Sequence, residues 1–271
     1  IIVQVKQNVM SDLSAIHLSN AVMLARCHDS AGFCIGAKLP KLCARLVLYF
    51  LVCFTACLPV AAAGMQSNWI GDPSIGEARL ISAVTASGDL EKLPLGLEFR
   101  LAPGWKIYWR TPGEAGLPPR IDLLVDGNPV ESQIKWPVPE RFNAFRFDNY
   151  GYDNTVILPL DVSGFTAGTT LQLTGQVEAL ACAEICVPLG GTVKMTMPAG
   201  PALASADARA MAQVAALVPR QGGHASLVPD HLWQVADKLY MRFAAPVPVD
   251  DIFIEGIDGV AFKRPQLDGG D

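Results

Sequence analysis

From residue 79 to residue 197 apolar and polar side chains alternate with a period of two along much of the chain. Leu95, Leu97, Phe99 and Leu101 alternate with Gly96, Glu98 and Arg100; Trp105, Ile107 and Trp109 alternate with Lys106, Tyr108 and Arg110; Val156, Leu158 and Leu160 continue the pattern. Successive side chains of a strand point to opposite faces, so this spacing predicts half-buried strands of an antiparallel sheet. Turn-forming runs separate them: Ala102-Pro-Gly104, Thr111-Pro-Gly113, Asp126-Gly-Asn-Pro129 and Ser163-Gly164. Their intervals suit a sandwich rather than βαβ units. The expected fold is therefore all-β, an immunoglobulin-like β-sandwich occupying residues 64–200.

After Pro198 the pattern changes. Pro198-Ala-Gly-Pro201 reads as a linker, and Ser205 is placed to cap a short helix running to about Leu217, with Ala208, Met211, Ala212, Ala215 and Ala216 as a weak apolar face. Strand-like pieces resume at 232–244, 252–255 and 260–263. They are too few to close another sandwich, so residues 201–271 are expected to hold a linker, a short helix and the start of an incomplete second β domain, cut by the C-terminus.

The N-terminal 63 residues carry a different signal. Lys38, Lys41 and Arg45 form a positive flank, residues 46–60 form an apolar run of 15, and Ala61-Ala-Ala63 fits a small-residue cleavage site before Gly64. The run is short for a bilayer span, which takes about 20 residues. Residues 1–63 are thus expected to be an upstream extension and signal peptide, with Met23 the better start than Ile1, and residues 64–271 the exported product.

Removing that segment sharpens composition. Of 21 Lys and Arg and 26 Asp and Glu, five and two precede Gly64, which leaves 16 and 24 and a net formal charge of −8. Such a surface does not suit nucleic-acid phosphates. Of seven cysteines, Cys27, Cys34, Cys43, Cys53 and Cys57 also precede Gly64, so Cys182 and Cys186 remain as a pair in Leu180-Ala-Cys-Ala-Glu-Ile-Cys-Val-Pro-Leu189. A close-spaced pair in an exported protein is either a structural staple or a redox centre. His224 and His231 are far along the chain from the pair and read as loop residues, and no His/Cys cluster has zinc spacing. Met195 and Met197 are candidate soft copper ligands alongside the cysteines, although alternating Met on a strand more often faces a core. Trp105, Trp109 and Trp136 read as core or sheet-packing residues.

Four separated motifs occur in one order: Trp105-Lys-Ile-Tyr-Trp-Arg-Thr-Pro-Gly-Glu-Ala-Gly-Leu-Pro-Pro119, Ile134-Lys-Trp-Pro-Val-Pro139, Tyr150-Gly-Tyr152 followed by Val156-Ile-Leu-Pro159, and the cysteine segment. Together they resemble the N-terminal periplasmic region of the DsbD/ScsB membrane thiol-disulfide interchange proteins, well over residues 75–200 and loosely beyond. The resemblance implies an immunoglobulin-like domain with one redox-active pair, Cys182 and Cys186, and no cofactor or metal. It implies a protein-disulfide reductase module in the periplasm, taking electrons from a membrane electron-transfer domain of the same or a full-length protein. Its expected partners are periplasmic thioredoxin-like or disulfide isomerase proteins, with no small-molecule substrate. It also implies that Cys182 ends one strand and Cys186 begins the next. The three-residue spacing is shorter than in the best-known DsbD form and like ScsB-type sequences. The membrane and thioredoxin-like domains of those proteins are absent from this chain, which alone does not complete the relay. The rival reading is a non-catalytic β-sandwich interaction or copper-handling module with a structural disulfide.

The chemistry sets its own requirements. In a straight strand residues four apart lie ~13 Å apart, beyond the ~4.4–6.8 Å that a disulfide spans, so the chain must turn at Ala183-Glu-Ile185. Glu184 in the turn and Glu178 before it disfavour a strongly activated thiolate by like-charge repulsion. Val187 and Pro188 place no negative charge beside Cys186, which is the favoured attacking residue. A dithiol in an oxidising compartment also benefits from a movable cover. Residues 140–150 supply Phe142, Phe145 and Phe147 on a polar stretch, and the resembling family covers its cysteines with an aromatic ring at this place in the order of motifs. The expected cap is Phe145, or failing that Phe142; the alternative is that all three rings pack into the sandwich.

Overall fold

The computed structural model describes residues 2–6, 64–144, 146–219, 230–242, 251–255 and 266. In chain order the strands are β1 Ile2–Lys6, β2 Ile70–Asp72, β3 Gly76–Ser82, β4 Leu93–Leu101, β5 Lys106–Gly113, β6 Arg120–Val125, β7 Asn128–Pro129 and β8 Glu131–Ile134. They continue with β9 Glu140–Ala144, β10 Phe147–Asp153, β11 Thr155–Ser163, β12 Leu171–Cys182 and β13 Cys186–Met197. A helix, α1, spans Ala208–Ala216, and β14 His231–Val235, β15 Lys238–Arg242 and β16 Asp251–Glu255 follow it.

Two sheets enclose the core, which makes the fold the expected all-β sandwich. One runs β2-β3-β4-β11-β8; the other runs β7-β6-β12-β5-β10-β9, with β13 added to β12. Their inward residues obey the period-two pattern. Leu93, Leu95, Leu97 and Phe99 of β4 meet Ile107 and Trp109 of β5, Leu158 and Leu160 of β11, and Leu171, Leu173 and Val177 of β12 in one continuous buried cluster. Met195 and Met197 belong to it as well. Trp109 is fully buried in it, while Trp105 and Trp136 pack against its margin.

The outer face of β4 departs from simple alternation. Gly96 is buried beneath α1: a Cβ there would lie 2.9 Å from Ile157 Cγ2, 3.2 Å from Ile81 and 3.4 Å from the Met211 methyl, so only glycine admits this approach. Glu98 is buried too, held by Arg79 at 2.6 Å. The helix that covers this face differs from the one the sequence predicted. It begins at Ala208 with Asp207 rather than Ser205 in the cap position, and Met211 and Val214 are its apolar contacts to Ile81 and Ile157, whereas Ala212, Ala215 and Ala216 are exposed. Alanine offers little area to bury, so one long flexible Met outweighs three small residues in setting the rotation of the helix. Ser205 still organises its start, accepting a hydrogen bond from the Asp207 N–H at 3.1 Å while its hydroxyl donates to the Ser82 carbonyl.

Of the stretch 232–244, expected as one strand-like piece, residues 232–242 lie in the β14–β15 hairpin, with Ala236 in the left-handed region (φ 52°) at its turn, and 243–244 lie outside the described residues. β16 adds to the sandwich instead of standing apart. Phe253 is fully buried and edge-on to Trp109 (5.9 Å) and Tyr150 (5.2 Å). Ile2–Lys6, assigned from sequence to the upstream extension, pairs antiparallel with β16, Gln4 opposite Phe253. Its β-branched Ile2, Val3 and Val5 suit a strand. The remainder of the expected signal peptide and the piece at 260–263 lie outside the described residues, among which no helix is long and apolar enough to cross a membrane.

The helix contact is directly testable. Met211→Ala should lower the unfolding free energy by about 2 kcal/mol, the low end for a buried Met in a small cluster. Ala212→Ser, on the exposed side, should change it by less than about 0.5 kcal/mol. Denaturant titration of both variants checks the face.

Candidate functional site

β12 and β13 form one long hairpin whose register runs without a slip from Leu171↔Met197 to Cys182↔Cys186. The two cysteines are thus cross-strand partners, 4.1 Å apart at Cα and joined by a disulfide. Cys182 ends one strand and Cys186 begins the next, as the resemblance implied. Ala183-Glu-Ile185 closes the turn, with the Ala183 N–H donating to the Ile185 carbonyl at 2.9 Å. The sulfurs differ in setting. Cys182 is 1% exposed and pairs in register with Lys106 of β5; Cys186 is exposed.

An open groove of about 560 Å³ runs beside the pair, with Trp105, Lys106, Phe142, Cys182, Glu184 and Ile185 on its walls. Ile185, 63% exposed at the tip of the turn, is an apolar side chain presented to solvent. Its opposite wall comes from the β9–β10 hairpin, where Phe142 lies 5.8 Å from the Tyr108 ring and under the Lys106 ammonium, 5.6 Å from the ring centre. Gly151 makes this possible: a Cβ there would sit 2.0 Å from the Ile107 carbonyl oxygen and 3.0 Å from the Phe142 ring.

Tyr108 is the residue that sequence reading passed over. The alternation placed it opposite Ile107 and Trp109, hence toward water, yet it is 1% exposed because Phe142 and Gly116 cover it. Its hydroxyl is 4.0 Å from Cys186 Sγ, and since a disulfide sulfur bears no hydrogen, the phenol is the donor. Burial pushes its pKa up, which keeps the proton on the oxygen at neutral pH. Lys106 was equally unmarked. A hint was present in the sequence, because residues two apart share a strand face, so Lys106 and Tyr108 had to emerge together; which strand lay beside them was not readable.

The remaining candidates separate clearly. Glu184 is exposed on the groove wall, whereas Glu178 is drawn to Arg120 at 2.6 Å. Phe142 is beside the pair, Phe147 is 44% exposed, and Phe145 lies outside the described residues. The reading in which all three rings enter the sandwich therefore fails for Phe142 and Phe147. Met195 and Met197 point into the core; Met195 is nine residues up β13 from Cys186, roughly 30 Å at strand rise, so these side chains do not join the cysteines around a copper ion. His231 packs against Trp233 at 5.3 Å on the β14–β15 hairpin, and His224 lies outside the described residues. Among the described residues no group of three or more His, Cys, Asp or Glu is placed to hold a metal.

Residues 77–198 match the family described as "Thiol:disulfide interchange protein DsbD, N-terminal". No curated protein matches the chain. A solved structure similar to it is the N-terminal periplasmic domain of ScsB from Proteus mirabilis, 26% identical, with a TM-score of 0.46; the match covers 58% of this chain and 60% of that one. The family match takes in all four motifs and both cysteines, so residues 77–198 are similar to the DsbD N-terminal domains over the whole stretch that carries the pair.

Proposed function

We propose that this chain is a periplasmic thiol-disulfide exchange module that passes reducing equivalents from a membrane electron-transfer domain to exported partner proteins through Cys182 and Cys186. One observation carries the reading: a hairpin end that buries Cys182 at the wall of an open groove and leaves its bonded partner Cys186 exposed to solvent. Exchange needs an accessible sulfur and a second one placed to resolve the mixed disulfide. From the reduced state, the Cys186 thiolate attacks a partner disulfide; one S–S bond forms, another breaks, and a partner thiolate leaves. The Cys182 thiolate then attacks Cys186 Sγ and expels the second partner thiolate. The partner gains two electrons and the domain returns to the disulfide, which a membrane-domain dithiol reduces again by the reverse sequence. Tyr108 supplies a neutral hydroxyl beside Cys186, able to stabilise the thiolate whenever that sulfur leaves or waits to attack.

A purely structural disulfide is less well supported by the topology. The bridge closes a turn of three residues between strands already in register, where the loop-entropy gain is about 2 kcal/mol, against about 4.7 for a 100-residue loop. A staple would contribute more almost anywhere else in the sandwich.

Four measurements test the reading. Cys182→Ala should retain Cys186 and accumulate a persistent mixed disulfide with exported proteins, while Cys186→Ala should trap none. A glutathione titration should place the pair above about −300 mV, the range below which structural disulfides usually lie; a lower value with no trapped adduct overturns the proposal. Phe142→Ala should speed alkylation of the reduced thiols several-fold with little change in melting temperature, because the ring is a cover and not core. A stability loss of about 3 kcal/mol or more, as for a core Phe, with unchanged reactivity would refute its role as the cap. Finally, mass spectrometry of the periplasmic protein should find Gly64 at its N-terminus; an intact residue 50 would contradict export by cleavage.

A further inference from the structure

We infer that Asp251–Glu255 is a positioning element of the redox site, setting through Arg141 how closely Phe142 covers the cysteine pair. The starting point is that, among the described residues, β9 is the last strand of its sheet and pairs there with β10. An edge strand held on one side needs a second anchor if a side chain upon it is to stay in place. Arg141 provides it. Its guanidinium donates from Nε to Asp251 Oδ2 at 2.9 Å, from Nη2 to Asp251 Oδ1 at 3.1 Å and to the Ile252 carbonyl at 3.3 Å, and from Nη1 to the Tyr150 hydroxyl at 3.1 Å. The two charged side chains are 8% and 9% exposed, and the guanidinium also stacks over Tyr150 and Phe253 at 4.7 and 5.5 Å. This two-point contact fixes orientation as well as distance.

Arg141 and Phe142 are consecutive in β9, so they point to opposite faces. One face meets Asp251 and Phe253; the other meets Tyr108 beside Cys186 and the groove. Tilting β9 about β10 therefore moves both at once. β16 holds the neighbouring wall as well. Glu255, 6% exposed, accepts from Arg110 Nε at 2.6 Å and from the Thr111 hydroxyl at 2.8 Å, both on β5, the strand that carries Lys106 and Tyr108. A segment 110 residues away in the chain thus ties together the two strands whose outer side chains flank the disulfide. The tip of the β9–β10 hairpin has its own tether, the Asn149 side chain, which donates to the Phe147 carbonyl at 3.2 Å and accepts from the Ala115 N–H at 3.1 Å. What β16 controls is the base of the hairpin, where Phe142 sits.

The inference concerns access to the sulfurs, and rests on the exchange reading only for its biological consequence. Its test is Asp251→Asn in the full chain, which keeps shape and removes the charge, with Arg141→Lys as a milder second variant that keeps charge and loses the fork. Each is reduced and its thiols are alkylated with iodoacetamide well below the melting temperature, in the presence and absence of Phe142→Ala. Asp251→Asn should raise the alkylation rate about fivefold or more, equivalent to about 1 kcal/mol in an opening equilibrium, and Arg141→Lys should do so to a lesser extent. In the Phe142→Ala background either change should add less than about twofold, since the cover is already gone. A lower melting temperature with unchanged alkylation, or full additivity with Phe142→Ala, would show that β16 is only part of the core and overturn the inference. Failure of Cys182→Ala to trap partners would overturn the exchange reading while leaving this readout intact.

Discussion

The cross-strand register of β12 and β13 is the constraint on which the site depends. A disulfide needs Cα atoms a few ångströms apart, and strand residues four apart in sequence meet that condition only if the chain reverses between them. Twelve consecutive pairs, from Leu171↔Met197 to Cys182↔Cys186, deliver the reversal at Ala183-Glu-Ile185. The pairing is locked from inside: Leu171, Leu173, Val177, Val193, Met195 and Met197 all face the core, and a slip of one residue would turn every one of them to water. The alignment of two sulfurs at the end of the hairpin is thus maintained by apolar burial far from them. Redox chemistry at the tip can change the state of the bridge without changing what holds the strands in place.

The same strands serve two faces. Ile107, Trp109 and Tyr150 build the core, while on the opposite face of β5 and β9 Lys106 and Phe142 line the groove and Tyr108 lies beneath Phe142. A site made from the outer half of a period-two pattern inherits the rigidity of the inner half. It also inherits edges. β9 ends its sheet, and on that edge strand the structure spends a buried arginine, a charge that is costly to bury unless paired with good geometry.

Much of this was legible in the chain, and the reasons differ by element. Strands β4, β5 and β11 follow from alternation alone, and the sandwich from their number and the turns between them. The cysteine turn follows from covalent geometry. What alternation could not show was a second covering layer. Gly96 and Glu98 of β4 were assigned to the solvent side but lie beneath α1 and against Arg79, and Tyr108 was assigned there but lies beneath Phe142. A period of two reports which face a residue is on, and not whether that face is bare. The rotation of α1 was misread for a related reason, since alanines count as apolar in a pattern yet contribute little when buried. The docking of Asp251–Glu255 on the sandwich was invisible because both of its acids meet arginines distant in sequence, and an isolated charge gives no sign of its partner.

On the proposed exchange reading, the unequal burial of the two cysteines gives the chemistry a direction. A nucleophile arriving from solvent reaches Cys186, the exposed member of the pair, and expels Cys182, so that a mixed disulfide forms on the residue a partner can touch. The buried Cys182 thiolate cannot diffuse away; it stays across the hairpin from the sulfur it must attack. Holding reactants in such proximity replaces an encounter with an intramolecular step, and well-aligned systems gain effective concentrations far beyond any attainable in solution. Resolution therefore depends on the stiffness of the β12–β13 register more than on strong thiolate activation at either cysteine.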